Sequence, residues 1–366
     1  MKSAKKIDRV LLIVVGLLVF GGFIVFLSAS LGLTAKNSAT YSSVVFNQLF
    51  FGLILGGITA FVVSRVDFTF WKKVSLYLFI IAIILTLLVF VPNFGFESGG
   101  AKRWLSLGPL SFQPAEFLKV AFVLYFATWL SGVKDYVQKF KFGLLPLIII
   151  LSIVGVVLLN QPDTSTFIMI VVAGFSMFFV SGGRWRHILL LVLIGIIGLS
   201  GLIVARPYVK DRILTFVNPA ENALTSGYQI QQSLIAVGSG SVFGRGFGQS
   251  IQKFNFLPEP IGDSIFAVFA EEFGFIGAFV LILLFTIFAL RGFKVASKIK
   301  DPFGGLVLVG LVIMITVQSF MNIGAMLGVI PLSGLPLLFV SHGGTALFFT
   351  LFAIGIIFNI SRHQTN

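Results

Sequence analysis

The chain has no cysteine, three histidines, and 13 acidic residues against 26 lysines and arginines in 366 positions. Without cysteine there can be no disulfide and no thiolate metal ligand. His342 has no second histidine nearby, which argues against a histidine-built metal site. Charge of either sign is scarce, 11% of residues where soluble domains carry roughly 25%, and this excludes an ordinary soluble fold. What is abundant is apolar: 57% hydrophobic residues and a mean hydropathy of +1.05. A formal net charge of +13 would suit nucleic acid. Basic residues confined to the edges of membrane segments give the same number for a simpler reason, so no nucleic-acid partner is expected.

Apolar runs long enough to cross a hydrocarbon core, about 20 residues each, fall near 10–33, 44–63, 74–92, 115–131, 143–160, 163–181, 187–205, 264–290, 303–328 and 337–360. The expectation is an all-α integral membrane protein of ten transmembrane helices in a single polytopic domain, residues 1–366. The N-terminal run follows Lys2, Lys5, Lys6 and Arg9 like a signal peptide, but it is too long for one and lacks a cleavage site, so it reads as the first span. Alternate loops differ in charge. Lys72 and Lys73, or Arg291, Lys294, Lys298 and Lys300, crowd one side, which predicts that both termini are cytoplasmic. The large loop 206–262, between helices 7 and 8, is then extracytoplasmic. It must contain structure of its own, and residues 228–236 read as a short amphipathic or re-entrant helix with Gln229, Gln232 and Ser233 on one side.

Four constellations are candidates for chemistry. In the block Leu257-Pro258-Glu259-Pro260-Ile261-Gly262-Asp263 a carboxylate stands at the mouth of an apolar run that also carries Glu271 and Glu272. Carboxylates at a membrane edge are usually functional unless paired, although an aspartate there also makes a good helix cap. In Gly99-Gly100-Ala101-Lys102-Arg103-Trp104 the cations and tryptophan suit headgroup depth. Glu116 and Lys119, three apart on one helix face, can neutralise each other as a structural ion pair. Asp163 reads as an N-cap for the helix that follows. The glycine series Gly244-x-Gly246-x-Gly248 has no strand before it and is no dinucleotide fingerprint; with Arg245 and Lys253 beside it, it reads equally as a phosphate-approaching loop or a structural one. Gln318 and Asn322, four apart, can hydrogen-bond across helices.

Taken in order, Gly100-Ala101-Lys102-Arg103-Trp104 with Gln113-Pro114-Ala115-Glu116, then Gln161-Pro162-Asp163-Thr164, then Gly227-Tyr228-Gln229 through Gly277, then Asn322-Ile323-Gly324 through Gly344, resemble the SEDS family (shape, elongation, division and sporulation). These are membrane peptidoglycan glycosyltransferases of the FtsW and RodA types. The resemblance spans all ten runs, and the Pro258-to-Asp263 block is closest to the division type, FtsW, with the elongation type as the near alternative. It implies polymerisation of lipid II, an undecaprenyl-pyrophosphate disaccharide-peptide, with inversion at the transferred sugar. It implies a multi-pass protein of the bacterial cytoplasmic membrane, acting at the division septum. Asp263 matches the family's essential aspartate, Arg103 a residue of the lipid-substrate cavity, Glu116 and Lys119 its intramembrane pair, and Lys253 a basic position near the site. Arg103, Arg245 and Lys253 would meet the leaving pyrophosphate, joined by Gln229 in the substrate-binding set. A divalent cation, Mg or Mn, is compatible with that role, and no metal ligand is assigned. Where the family usually has tyrosine, this chain has His342. The partners implied are a class B penicillin-binding protein, a transpeptidase, and other divisome membrane proteins. The competing reading from another class is a lipid II flippase, which would also use buried charges and glycine-broken helices.

Overall fold

The computed structural model describes residues 6–34, 38–92, 94–98, 101–107, 110–219 and 226–365. Gly99 and Gly100, Lys2, Lys5 and Lys36, and the stretch 220–225 of the large loop lie outside the described residues. Among the described residues eight helices are long and apolar enough to cross a membrane. They are α1 (Arg9–Thr34), α2 (Tyr41–Val63), α3 (Phe68–Leu88), α4 (Pro114–Gly132), α7 (Trp185–Ala205), α10 (Ile265–Ala296), α11 (Pro302–Met326) and α12 (Gly344–Ser361). Two shorter apolar helices, α5 (Leu144–Asn160) and α6 (Thr164–Val180), have 17 residues each, about 25 Å at 1.5 Å per residue. The apolar runs read from the sequence therefore all form helices. The chain is a helical multi-pass membrane protein.

Helices α4, α11 and α12 form the centre of the bundle, whereas α7 is almost wholly exposed. Glycines set the closest approaches. A Cβ on Gly52 would stand 2.9 Å from Leu347 Cδ2 and one on Gly56 2.8 Å from Leu351 Cδ1, so α2 lies against α12 at nearly backbone distance. Within α2, Gln48–Leu55 is a π-helix.

Three boundaries depart from the sequence expectation. The last helix begins at Gly344, not 337. Residues 337–343 are as apolar as a helix, but they form one turn, closed by Ser341 N on the Leu337 carbonyl at 2.8 Å, while the Ser341 hydroxyl accepts from Leu337 N at 2.8 Å and donates to the Gly262 carbonyl at 2.7 Å. The third helix starts at Phe68 because Asp67 caps it, accepting from Thr69 N at 2.8 Å. Helix α10 runs to Ala296 and is broken at Gly274 (φ 67°, ψ −167°), a conformation suited to glycine.

The segment between α3 and α4 has no strand periodicity, yet an antiparallel sheet forms there in the order β1 (Gly95–Ser98), β2 (Ala101–Leu107), β3 (Leu110–Phe112). Phe96 pairs with Trp104 and Leu105 with Phe112. The large loop carries α8 (Pro207–Val217) and α9 (Ser226–Ser239), the second enclosing the short helix expected over 228–236. At the opposite end of the bundle Arg291 grips Asp8 with two hydrogen bonds of 2.9 and 2.7 Å, and Gln364 also reaches Asp8.

Candidate active site

The start of α4, α6, α10 and α12 and the segment after α11 meet at one end of the bundle around a cavity of about 670 Å³. Its charged lining is Arg103 from β2, Glu116 from α4, Asp163 before α6, Arg212 from α8, and Glu259 and Asp263 before α10. Phe51, Leu55, Phe348 and Phe349 continue it between α2 and α12 as an apolar groove.

Asp263 does not cap α10. Ser264 holds the N-cap position, without a side-chain cap bond. The Asp263 backbone is fixed instead: Asn322 Nδ2 donates to the Asp263 carbonyl at 2.7 Å and to the Leu335 carbonyl at 2.8 Å. Among the described residues none donates a hydrogen bond to the Asp263 carboxylate. Burial, with Glu259 as a like charge beside it, pushes that carboxyl up from 3.8 to about 6, while Arg212 and Arg103 pull the other way.

Arg103 is held at the cavity wall by the carbonyls of Gln161, at 3.3 Å, and Pro162. Arg212 donates to the Ser333 carbonyl at 3.2 Å. Burial and the repulsion of Arg103 lower the Arg212 guanidinium from its ordinary value, and Asp263, Tyr208 and Asp163 oppose this. Two guanidinium groups that repel each other across a cavity make a site for an anion. Gly334 (φ 66°) passes between the key groups: a Cβ there would lie 3.3 Å from Arg212 Nη2 and 3.6 Å from Asp263 Oδ2.

Asp163 caps α6, accepting from Thr166 N at 3.3 Å, and its other oxygen, Oδ2, is buried without a hydrogen-bond partner among the described residues. Glu116 and Lys119 pair at 2.9 Å, and Lys119 also reaches Gln318 Oε1 at 2.7 Å. Gln229 lines a smaller neighbouring cavity and donates to Ser264 Oγ at 3.0 Å. Burial lowers the His342 imidazole to about 4, so this cavity-lining ring is neutral at pH 7.

Lys253 and Arg245 are not brought to the cavity. Lys253 is buried, with Nζ 2.7 Å from Glu272 Oε1 and 2.9 Å from the Gly248 carbonyl. Arg245 lies 3.5 Å from Glu271. Glu271 also accepts from the Ser250 hydroxyl at 2.5 Å and the amides of Ile251 and Gln252 at 3.1 and 3.2 Å, and Ser28 donates to Glu272 at 2.6 Å. The amides of Arg245 and Gly246 bond to the carbonyls of Glu271 and Glu272. The glycine series is thus folded onto the break in α10. Among the described residues no three His, Asp or Glu side chains gather as a metal-holding group; Arg103 and Arg212 bring positive charge to the cavity wall.

Arg212 and Asp163 are cavity residues that sequence reasoning did not single out as such. Arg212 lies in the long loop with no motif around it, and only the docking of α8 brings it across from Asp263. For Asp163 the cap explained the residue and hid its second oxygen.

Residues 8–366 match the family model for FtsW, RodA and SpoVE, described as "Cell cycle protein". The chain is 38% identical to the stage V sporulation protein E of Bacillus subtilis, over 100% of both chains. It is 35% identical to the probable peptidoglycan glycosyltransferase FtsW of Geobacter metallireducens, covering 99% of this chain and 97% of the relative. Among solved structures it resembles a chain from work on polymerization and crosslinking by a peptidoglycan synthase complex (TM-score 0.80, 27% identity, 97% and 98% covered). It also resembles the rod shape determining protein RodA of Thermus thermophilus (TM-score 0.72, 26% identity, 98% of each). The likeness spans both the helical bundle and the cavity end, and the chain belongs to the FtsW/RodA/SpoVE family, the SEDS proteins.

Proposed function

We propose that this chain polymerises lipid II into glycan strands in the 670 Å³ cavity, with Asp263 as general base. One observation carries the reading. A carboxylate raised to about 6, free of hydrogen bonds from the described residues, shares a cavity with Arg103 and Arg212. A base must keep its oxygens free to take a proton, and a value near neutrality suits that task.

Forming a β-1,4 bond from an α-linked donor inverts the anomeric carbon. Asp263 takes the proton of the acceptor 4-hydroxyl as that oxygen attacks, and the bond from the anomeric carbon to the pyrophosphate oxygen breaks. Arg103 and Arg212 face the negative charge that develops on the departing pyrophosphate. The groove lined by Phe51, Leu55, Phe348 and Phe349 suits the prenyl chain. The basic loops at the far end support a cavity on the outer face, the face on which this reading puts septal wall synthesis. The likeness to a chain of a peptidoglycan synthase complex supports a class B penicillin-binding protein as partner.

Purified full-length protein supplied with lipid II tests this by gel or mass analysis of the products. Glycan strands are expected from the wild type, and Asp263→Asn should lower the rate by about 10²–10⁴-fold, the usual worth of a general base, with lipid II still bound. Wild-type polymerisation by Asp263→Asn would remove it as the base. Lipid II movement across liposomes without glycan formation would favour a flippase.

A further inference from the structure

We infer that Gln48, on the second helix and far from Asp263 in sequence, is a positioning residue for that carboxylate, acting through the non-helical segment 341–343. The inference rests on Asp263 being the base. Gln48 is 1% exposed and opens the π-helical stretch of α2. Its amide is used at both ends: Nε2 donates to the Ser341 carbonyl at 3.1 Å, and Oε1 accepts from Gly343 N at 3.0 Å. From the other side of the same segment, the Ser341 hydroxyl donates to the Gly262 carbonyl at 2.7 Å. His342 N donates to the Ile261 carbonyl, also at 2.7 Å. Ile261 and Gly262 are the two residues before Asp263. Asn322 fixes the Asp263 carbonyl itself. Two side-chain amides from separate helices therefore hold the backbone on either side of the carboxylate.

The physical need for such an arrangement follows from the chemistry. Hydrogen bonds donated to carboxylate oxygens would stabilise the ionised form and weaken the base. Asp263 must then be aimed through its backbone. Past the single turn that ends at Ser341 N the segment is not helical, so without Gln48 the Ser341 carbonyl and the Gly343 amide lose the partners shown for them inside the bundle. Gly52 and Gly56 let α2 come close enough to α12 for the Gln48 side chain to reach. A π-turn at this point agrees with the tendency of such turns to occur at functional sites. The bland alternative is that Gln48 merely glues helices together, as amides in membrane helices do.

Gln48→Met keeps the volume and removes both bonds, and Gln48→Glu, when protonated, keeps one donor and one acceptor. In full-length protein with lipid II, Gln48→Met should lower kcat by about 10²-fold, the scale of an ångström-sized misplacement, with KM little changed. The inflection of its pH–rate curve should move down from about 6 as water reaches Asp263 among Glu259, Arg103 and Arg212. Gln48→Glu should recover part of kcat. An unchanged pH–rate curve in Gln48→Met, with activity falling only as far as the folded fraction, would leave Gln48 as helix glue and overturn the inference. Failure of the wild type to make glycan would sink the proposed function instead. In that event, carbodiimide labelling of Asp263 against pH, read by peptide mass spectrometry, still decides: an unmoved curve in Gln48→Met overturns the positioning role and a moved one upholds it.

Discussion

Asp263 and the pair Glu271–Glu272 sit at the two ends of the short first part of α10, all three next to cations, yet their surroundings are opposite. Glu271 and Glu272 receive hydrogen bonds from Ser250, Ile251, Gln252, Ser28 and Lys253. Asp263 receives none from the described residues and keeps a charged but open cavity in front of it. Burial near positive charge is common to both, so neither marks a reactive group. The absence of satisfaction does. A saturated carboxylate is a fastener, and an unsatisfied one held by its backbone is poised to accept a proton.

The contrast is most easily broken at Glu272. Glu272→Gln leaves Lys253 charged, buried and unpaired, which should destabilise the protein by about 3–5 kcal/mol. Asp263→Asn should leave the melting temperature unchanged or higher. Thermal melts in one detergent read both, and a Glu272→Gln protein as stable as wild type would erase the distinction. Gly334→Ala comes next in size. The added methyl falls between Arg212 and Asp263 at a φ of 66°, so about 1–2 kcal/mol of backbone strain is joined by a direct intrusion. Its kcat should fall further than its loss of stability explains, and parallel losses would show that the methyl is merely strained.

The smallest effect is on pH. Asp263 titrates near 6 when folded against 3.8 ordinarily, so the folded state binds its proton more tightly. Its contribution to stability is complete below about 4 and is lost as pH rises through about 6. Activity must run the other way, rising as the carboxylate ionises. A rate that falls on raising the pH through 6 would contradict the assignment of Asp263 as base.

The bundle was largely legible in the sequence because a helix that crosses lipid must be long and apolar wherever it lies. The pairing of Glu116 with Lys119 was legible for a similar reason, since their spacing is local. The cavity wall was not. Arg212 meets Asp263 only through the docking of α8, and Gln48 meets Ser341 only because two glycines thin the interface. Residues 337–340 have a helical composition, and what unwinds the segment is the hydroxyl of Ser341 and an amide from α2, neither visible in a local window. The strands around Arg103 are short and irregular in alternation, so their pairing, with a register shift between Phe96 and Glu97, gave no periodic signal.

The break at Gly274 divides α10 into parts with different obligations. From Phe275 to Ala296 the helix rises about 33 Å at 1.5 Å per residue, by itself enough for a bilayer whose hydrocarbon layer is about 30 Å thick. The stub before the break need not span anything. The stub is fastened to the large loop through Glu271 and Glu272, and the amides released at the break are taken up by that loop too, Phe275 N and Ile276 N donating to the Ser241 and Val242 carbonyls. The stub that follows Asp263 is thus tied to the large loop and not only to the spanning part of its own helix.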